Sequence, residues 1–436
     1  MRRHLLAIPL TLLAASACLL ASPSPARAAN WQINRVNHLV LTPPGGVTIA
    51  EMSGVTYLGP AAGANHRFIA AEEIKGELVQ FDLTFNASGG ITSFSNVAAV
   101  DIVPTLDFEG IAYTNAVRNS VFISDENGPG VRELNLATGA ELQAVAIPPV
   151  FANRRANLGF ESLTRSPDGA VMWTANEQAL TVDGPVATSS AGTNVRLLKL
   201  NVAGNTVAVG SQFAYQVEPI HGTNTFGSPQ SGLSDLVSMP DGTVIALERS
   251  VSLLASPSTY LNRIYEIDFA GATDVSVGPT ATGLTGQTFT PVGKQLLWSG
   301  PVDGTNGQNL EGLTLGPRLA NGSWMLIGVV DDGDELSNNT LVASTATAIP
   351  SADFNADGAV DGTDLLDWQR GLGQAIGAAH STGDADRDGD ADDLTQWKAD
   401  FAAPGEAAAA TVPEPASLTL CGLALIGACE RRLRRR

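Results

Sequence analysis

The sequence predicts a mainly β fold: a β-propeller of six blades, followed by a small α-helical module. Three observations carry this reading. Gly and Pro are plentiful (45 and 24 of 436 residues) and charged residues make up only 16%, so short apolar runs alternate with turn residues. Nearly the same phrase recurs as Asp107-Phe-Glu-Gly-Ile111, Gly159-Phe-Glu-Ser-Leu163 and Asn309-Leu-Glu-Gly-Leu313, each followed by a turn and an apolar run ending in an acid. Beyond these repeats, an acidic stretch between residues 351 and 402 changes the composition and the periodicity.

The units follow in chain order. The first has Ser53 to Val55, Phe68 to Glu73 and Glu77 to Leu83. The second has Gly110 to Thr114, Val121 to Glu126 and Val131 to Leu136. The third has Glu161 to Arg165, Val171 to Glu177 and Val195 to Asn201. The fourth has Ser231 to Asp235, Val244 to Glu248 and Arg263 to Asp268, and the last has Glu311 to Leu315 and Trp324 to Asp332. Pro-Asp-Gly at 167–169 and 240–242 supplies the turn chemistry that tight hairpins need. The gap between Gly232 and Gly312 is wide enough to hold a degenerate sixth unit in 270–305, with Lys294 to Ser299 as one of its strands. Residues 31–42 are available to close the ring. Such repeats of antiparallel strands read as propeller blades. A β-sandwich with accidental internal similarity is the competing architecture.

Hairpin geometry turns the repeat into a candidate site. In an antiparallel pair the start of the first strand lies beside the end of the second. Glu109 therefore neighbours Asp125 and Glu126, Glu161 neighbours Glu177, Asp235 neighbours Glu248, and Glu311 neighbours Asp331 and Asp332. Rotation from blade to blade gathers these ends at one mouth. The candidate catalytic residues are thus Glu109, Glu161, Glu311, Glu126, Glu177 and Glu248, with Arg249, Arg154 and Arg155 as candidate counter-charges. Crowded carboxylates raise one another's pKa unless a cation neutralises them. Two readings stand: a metal- or ligand-binding rim, or acids that bind backbone N–H groups of the next blade and fasten the ring.

Other chemistries lack their motifs. There is no Gly-x-Ser-x-Gly elbow, no His-Glu-x-x-His pair and no Arg-His-Gly phosphatase motif. His221 sits in a Gly/Pro-rich loop, where it is either an acid–base group or an ordinary loop residue. Hydrolysis, if it occurs, follows a metal-assisted route with Ca²⁺ or a similar ion on carboxylates. The net charge of −19 is further depressed in the body, because eight of the 25 basic residues lie at the two ends. A body of that sign repels nucleic acid and suits cations.

The string Leu106 to Ile111, Ile123 to Glu126, Gly159 to Gly169, Gly232 to Asp235, Leu247 to Ser250 and Asn309 to Leu313 resembles the phytase-like family, "esterase-like activity of phytase", over roughly residues 50–332. The resemblance implies a secreted propeller, here 30–333, with phosphoester or ester hydrolase activity. It assigns no catalytic residue.

The ends and the acidic stretch complete the organisation. Residues 1–28 have a charged start, an apolar run and a small-x-small cleavage site at Ala26-Arg-Ala28, an export signal. The lipobox around Cys18 is poor, and no cysteine lies between Asn30 and Thr411. The Ala/Ser/Thr/Asn-rich residues 334–350 read as a linker. In 351–402, Asp353, Asn355, Asp357, Asp361 and Asp364 fall at positions 1, 3, 5, 9 and 12 of an EF-hand-type loop, with Gly358 at 6 and the Ala359 carbonyl at 7. A second loop runs through Asp384, Asp386, Asp388, Asp390 and Asp392, with Thr395 at its twelfth position and Asp393 as the alternative last acid. Ca²⁺ is the expected ion in both. The paired loops and helices resemble dockerin type I repeats, which imply either a cohesin-like partner or a calcium-folded spacer. After a linker at 403–411, residues 412–436 carry Pro413-Glu-Pro415, a short apolar run and a terminal Arg cluster. These features resemble a PEP-CTERM sorting signal; a plain tail anchor is the alternative. That resemblance implies transient inner-membrane contact, processing by an exosortase, and delivery to the surface or matrix of a Gram-negative-type bacterium. A non-catalytic matrix propeller tethered by the dockerin-like module competes with the hydrolase reading.

Overall fold

The structure, a computed structural model, describes residues 30–402 apart from 43–46, 48, 74–76, 103–105, 223–229, 253–258, 303–306, 334–336, 350, 355–359 and 373–391. The expected export signal and sorting tail lie outside the described residues.

Among the described residues, twenty strands form five antiparallel sheets of four. The first strand, β1 (Trp31–Val40), belongs to the last sheet. Blade 1 is β2 (Met52–Pro60), β3 (His66–Glu72), β4 (Glu77–Phe85) and β5 (Ile91–Asp101). Blade 2 is β6 (Phe108–Tyr113), β7 (Ser120–Asp125), β8 (Gly130–Asn135) and β9 (Glu141–Val145). Blade 3 is β10 (Thr164–Arg165), β11 (Val171–Ala175), β12 (Thr193–Ala203) and β13 (Thr206–Val217). Blade 4 is β14 (Gln230–Ser238), β15 (Val244–Val251), β16 (Tyr260–Asp268) and β17 (Gly293–Gly300). Blade 5 is β18 (Leu310–Arg318), β19 (Trp324–Val330) and β20 (Thr340–Ala348), completed by β1, which pairs Trp31 with Ala348 and Val40 with Thr340. Each blade's first strand lies innermost and touches the first strands of its neighbours, β18 meeting β2 to close the ring.

The propeller thus has five blades, not six. Residues Lys294 to Ser299, expected in a sixth unit, lie in β17, the outer strand of blade 4. The wide gap is an insertion between β16 and β17. It carries a 3₁₀ turn (Gly278–Thr282) and packs Val275 and Leu284 onto Ala214 of blade 3. Buried Arg196 holds this insertion down, pairing with Asp183 at 2.7 Å and donating to the Thr280 carbonyl at 2.8 Å. The stretch 334–350, expected as a linker, contains β20. Its Thr residues are β-branched and suit a strand, and Leu341 and Ala343 are buried.

Second strands of the blades read as continuous apolar runs because both their faces are covered. In β3, Phe68 and Ala70 enter the core shared with blade 5, while Ile69 and Ala71 enter the core shared with blade 2. In β7, Val121 and Ile123 face blade 1 and Phe122 faces blade 3. Met325, Ile327 and Val329 of β19 face blade 1, and Leu326 and Val330 face blade 4. Five such cores, one per blade junction, hold the ring. Each fully buried Phe, Leu or Ile contributes roughly 1.5–3 kcal/mol.

Residues 349–436 form a second unit. Its described helices are α1 (Gly362–Gly371) and α2 (Asp392–Ala402). Asp361 caps α1 by accepting from the Thr363 N–H at 2.7 Å, and Asp364 answers by accepting from the Asp361 N–H at 2.7 Å, a capping box. Leu365 and Trp368, three residues apart on one face, join Ala352 and Phe354 in a small core with Leu394 and Trp397 of α2.

Candidate functional site

All five inner strands are irregular at the same place. The pairing register slips at Ser53 in β2, at Glu109-Gly110 in β6, at Ser234 in β14 and at Glu311 in β18, each a β-bulge. In blade 3 the segment around Glu161 pairs through a bridge from Phe160 to Asn176, and the Glu161 N–H reaches the Ala175 carbonyl. Bulges turn a side chain that would alternate with its neighbours. The bulge position therefore carries Ser53, Glu109, Glu161, Ser234 and Glu311. The following position is glycine in three blades because the inner strands nearly touch. A Cβ on Gly54 would sit 2.3 Å from the Glu109 carbonyl, and one on Gly110 would sit 2.1 Å from the Leu163 nitrogen.

A second set of side chains comes from the residue just past each second strand. Backbone bonds place it opposite the bulge: Glu73 N–H to Glu51 O, Glu126 to Asp107, Glu177 to Gly159 and Asp331 to Asn309. In blade 4 the register sets Arg249 opposite Gly232, so arginine stands where the other four blades have an acid. Arg249 reaches Glu177 and Glu311, each at 2.8 Å, and Asn309 Oδ1 at 2.6 Å.

Glu109, Glu161, Glu311, Glu126 and Glu177 therefore do meet at one mouth, together with Glu73, Asp107 and Asp331. Carboxylate oxygens of Glu73, Glu109 and Glu311 lie within 4.8 Å of one another, as do those of Asp107, Glu109 and Glu126. Glu109 belongs to both groups. Burial pushes Glu109 and Glu161 well above the usual carboxyl range, and the neighbouring acids add to it: Glu161, Glu73 and Glu311 for Glu109, Glu177 and Glu126 for Glu161. Glu311 is raised by burial against the pull of Arg249. Glu73 is pushed up to about 7, by burial first and then Asp331; Glu126 is pushed up to about 7, by burial first and with Asp107 adding to it. These acids hold protons near neutral pH that isolated carboxyls have lost.

Glu248 does not join them. It lies one residue before the mouth position, and a one-residue step in a strand reverses the face. Its carboxylate is buried between blades 3 and 4, accepting from Tyr215 Oη at 2.7 Å and Lys294 Nζ at 2.6 Å. Asp235 is also absent from the acid array. It occupies the position that is glycine in blades 1, 2 and 5, and its carboxylate accepts the N–H groups of Leu236 at 2.8 Å and of Leu313 in blade 5 at 2.7 Å. Asp235 is a fastener between inner strands. Glu126 does both: one oxygen accepts the Gly159 N–H of blade 3 at 2.9 Å. Arg154 and Arg155 donate to backbone carbonyls of Asn127, Ala179 and Gly184 and do not serve the array. His221 meets Ser250 Oγ at 2.8 Å through Nδ1.

Sequence reasoning missed Glu73 and Asp107 as members, although Asp107 opens the first repeated phrase; it places Asp331 beside Glu311 without counting it among the candidate catalytic residues. Counting from the shared Pro-Asp-Gly turns does not recover the column, since Glu177 lies eight residues past Gly169 and Arg249 seven past Gly242; only the strand pairing aligns them.

In the second unit, Asp364 is buried and accepts the Phe354 N–H at 2.8 Å in addition to that of Asp361. Asp353 precedes this turn, and Asp392 opens α2. Asn355, Asp357, Ala359, Asp384, Asp386, Asp388 and Asp390 lie outside the described residues.

Among solved structures, the endo-arabinase from Bacteroides thetaiotaomicron is 12% identical, with 69% of this chain and 95% of that chain covered at a TM-score of 0.38. The α-L-arabinofuranosidase from Podospora anserina in complex with cellotriose is 10% identical, with 73% and 97% covered and a TM-score of 0.39. A hypothetical protein from Leishmania major is 10% identical, with 71% and 90% covered and a TM-score of 0.35. No curated protein sequence matches the chain. The family described as "Phytase-like: Esterase-like activity of phytase" matches residues 61–334, from just after β2 through β19 and well over half of the sequence. The chain belongs to the phytase-like family.

Proposed function

We propose that this protein is an exported hydrolase of phosphoesters or esters that works at the acidic mouth with a divalent cation. The observation that carries the reading is the pair of carboxyl groups sharing Glu109, each within ligand spacing, in an array whose charge Arg249 answers on one side only. The donors are all oxygens, which suits a hard ion such as Ca²⁺ or Mg²⁺. Asp107, Glu109 and Glu126 would hold it, on the side away from Arg249. A bound ion there neutralises a substrate oxyanion and lowers the pKa of a water. The protein's own groups supply the rest. Arg249 orients an anionic substrate by its guanidinium edge, and Glu73, with its pKa near 7, exchanges a proton with the water or the leaving oxygen.

The test is hydrolysis of p-nitrophenyl phosphate, phytate and p-nitrophenyl acetate by the purified chain, with Ca²⁺ and after chelation. Turnover lost on chelation and restored by the ion supports the reading; no turnover of any of the three under either condition sinks it. Asp235 and Glu126, which fasten neighbouring blades, favour a second reading, a non-catalytic extracellular propeller that binds a ligand or matrix polymer.

The termini and the second unit fit the same setting. Residues 351–402 are proposed to bind Ca²⁺ and to dock a cohesin-like partner or act as a spacer. Residues 412–436 are proposed to be processed by an exosortase, delivering the protein to the cell surface or matrix. Calcium titration of the full chain, read as a change in the Trp368 and Trp397 emission, checks the module; a flat titration removes it.

A further inference from the structure

The opposite ends of the same inner strands enclose a cavity that the acids do not line. Its volume is about 550 Å³, within the range of small-molecule sites. Ile111, Leu163 and Leu313 give it apolar walls, and Tyr57 and Trp324 give it flat aromatic ones.

Two residues of the lining carry polar atoms that nothing answers among the described residues. Ser238 is 4% exposed and its Oγ has no hydrogen-bond partner. Arg165 donates Nη1 to the Thr114 carbonyl at 2.6 Å and Nη2 to the Gly169 carbonyl at 2.9 Å, but its buried Nε–H has no acceptor. No carboxylate forms an ion pair with Arg165 among the described residues; the nearest charges, Asp168 and Glu133, act on it from a distance. Burial disfavours its charge, and Asp168 and Glu133 offset this only in part. A third polar lining residue, Arg318, is exposed and donates to the Gly322 carbonyl at 3.1 Å. Unanswered donors beside a half-buried cation with no ion-pair partner are costly, and an entering oxyanion relieves both defects at once. The aromatic and apolar walls leave room for a flat body behind it.

We propose that this cavity binds a small organic oxyanion, a flat apolar body carrying one carboxylate or phosphate group, anchored by Arg165 and Ser238. Calorimetric titration of the full chain with benzoate, phenyl phosphate and benzyl alcohol tests it. At least one of the two anions is expected to bind in the sub-millimolar to millimolar range, and benzyl alcohol is expected not to bind. A preference for benzoate identifies a carboxylate ligand and a preference for phenyl phosphate a phosphate ligand. Arg165→Met is expected to weaken anion binding by about tenfold or more, the range for a charge-assisted hydrogen bond. Glu109→Gln, at the other mouth, is expected to leave it unchanged, which separates this site from the acidic one. If Arg165→Met does not fold, Ser238→Val and Arg318→Ala replace it, each with an expected loss of roughly threefold or more. Equal binding of benzyl alcohol, no binding of either anion, anion binding unchanged in these cavity variants, or anion binding abolished by Glu109→Gln overturns the proposal.

Discussion

The two ends of the five inner strands share one backbone and have opposite chemistry. At the start of the strands, bulges turn Glu109, Glu161 and Glu311 together, and the next ring outward adds four acids and one arginine. At the far end the same strands present hydroxyls. Thr56 Oγ1 accepts the Tyr113 N–H at 3.1 Å and Thr164 Oγ1 accepts the Ser238 N–H at 2.9 Å, stitching blade to blade without charge. The difference teaches that blades are fastened by hydroxyls as well as by carboxylates. Threonine and serine do this without charge, as Ser53 also shows by donating to the Phe108 carbonyl at 2.6 Å at the acidic end itself. Carboxylates share that work at Asp235, Glu126, Glu248 and Asp332.

That contrast can be broken most decisively at Asp235. Asp235→Ala orphans N–H groups on two inner strands, at about 1–3 kcal/mol each, and should lower unfolding free energy by about 3 kcal/mol in urea. A loss below about 1 kcal/mol would mean that water replaces the carboxylate easily. Glu109→Gln comes next. It keeps the shape but removes the ionisable group common to both clusters of acids, and should reduce kcat/KM by about 100-fold, worth about 2.7 kcal/mol. Stability should not fall with it, because a neutral amide replaces a carboxyl that burial already keeps protonated; a variant that loses stability and activity together makes Glu109 a fastener.

A third test uses pH. Glu73 and Glu126 bind protons more tightly in the folded state than in the unfolded chain, where carboxyls titrate near 4.3. The sign follows: their contribution is fully present below that value and is lost as pH rises through about 7. The thermal midpoint should fall between pH 5 and pH 8, and millimolar Ca²⁺ should restore it at pH 8, when measured by calorimetry. A midpoint that is flat over this range would remove the crowding argument. The smallest effect is at Glu248. Its Tyr215 and Lys294 partners lie away from the mouth, so Glu248→Gln should change turnover by less than about twofold while costing stability.

Much of this was legible in the sequence. The apolar runs of β3, β7 and β19 and the Pro-Asp-Gly turns were enough to set out five hairpins, and the repeated Glu-Gly and Glu-Ser pairs marked the mouth. The blade count was not legible, because an insertion held by Arg196 and Asp183 has no periodicity of its own and looks like a missing unit. Glu248 was misplaced because hydrophobic patterning does not show a one-residue slip at Ser234. Asp235 has the look of a rim acid in the sequence; only the neighbouring strands of blades 4 and 5 reveal that its oxygens are engaged. β20 was hidden by composition, since alternating Thr and Ala resemble a spacer until their partners are seen.

The pairing of β1 with β20 has a kinetic consequence. These strands are separated by roughly 300 residues, and closing a loop of that length costs about 3–4 kcal/mol more chain entropy than closing a short hairpin. That cost falls due before the contacts between blades 5 and 1 can form, so the seam is the late event in folding. Until it forms, β2 and β18 lack each other as neighbours, and the carboxyl groups of Glu73 and Glu311 are far apart. The acidic array is therefore a product of ring closure, and a cation bound there, as proposed, would act as a latch on the finished circle.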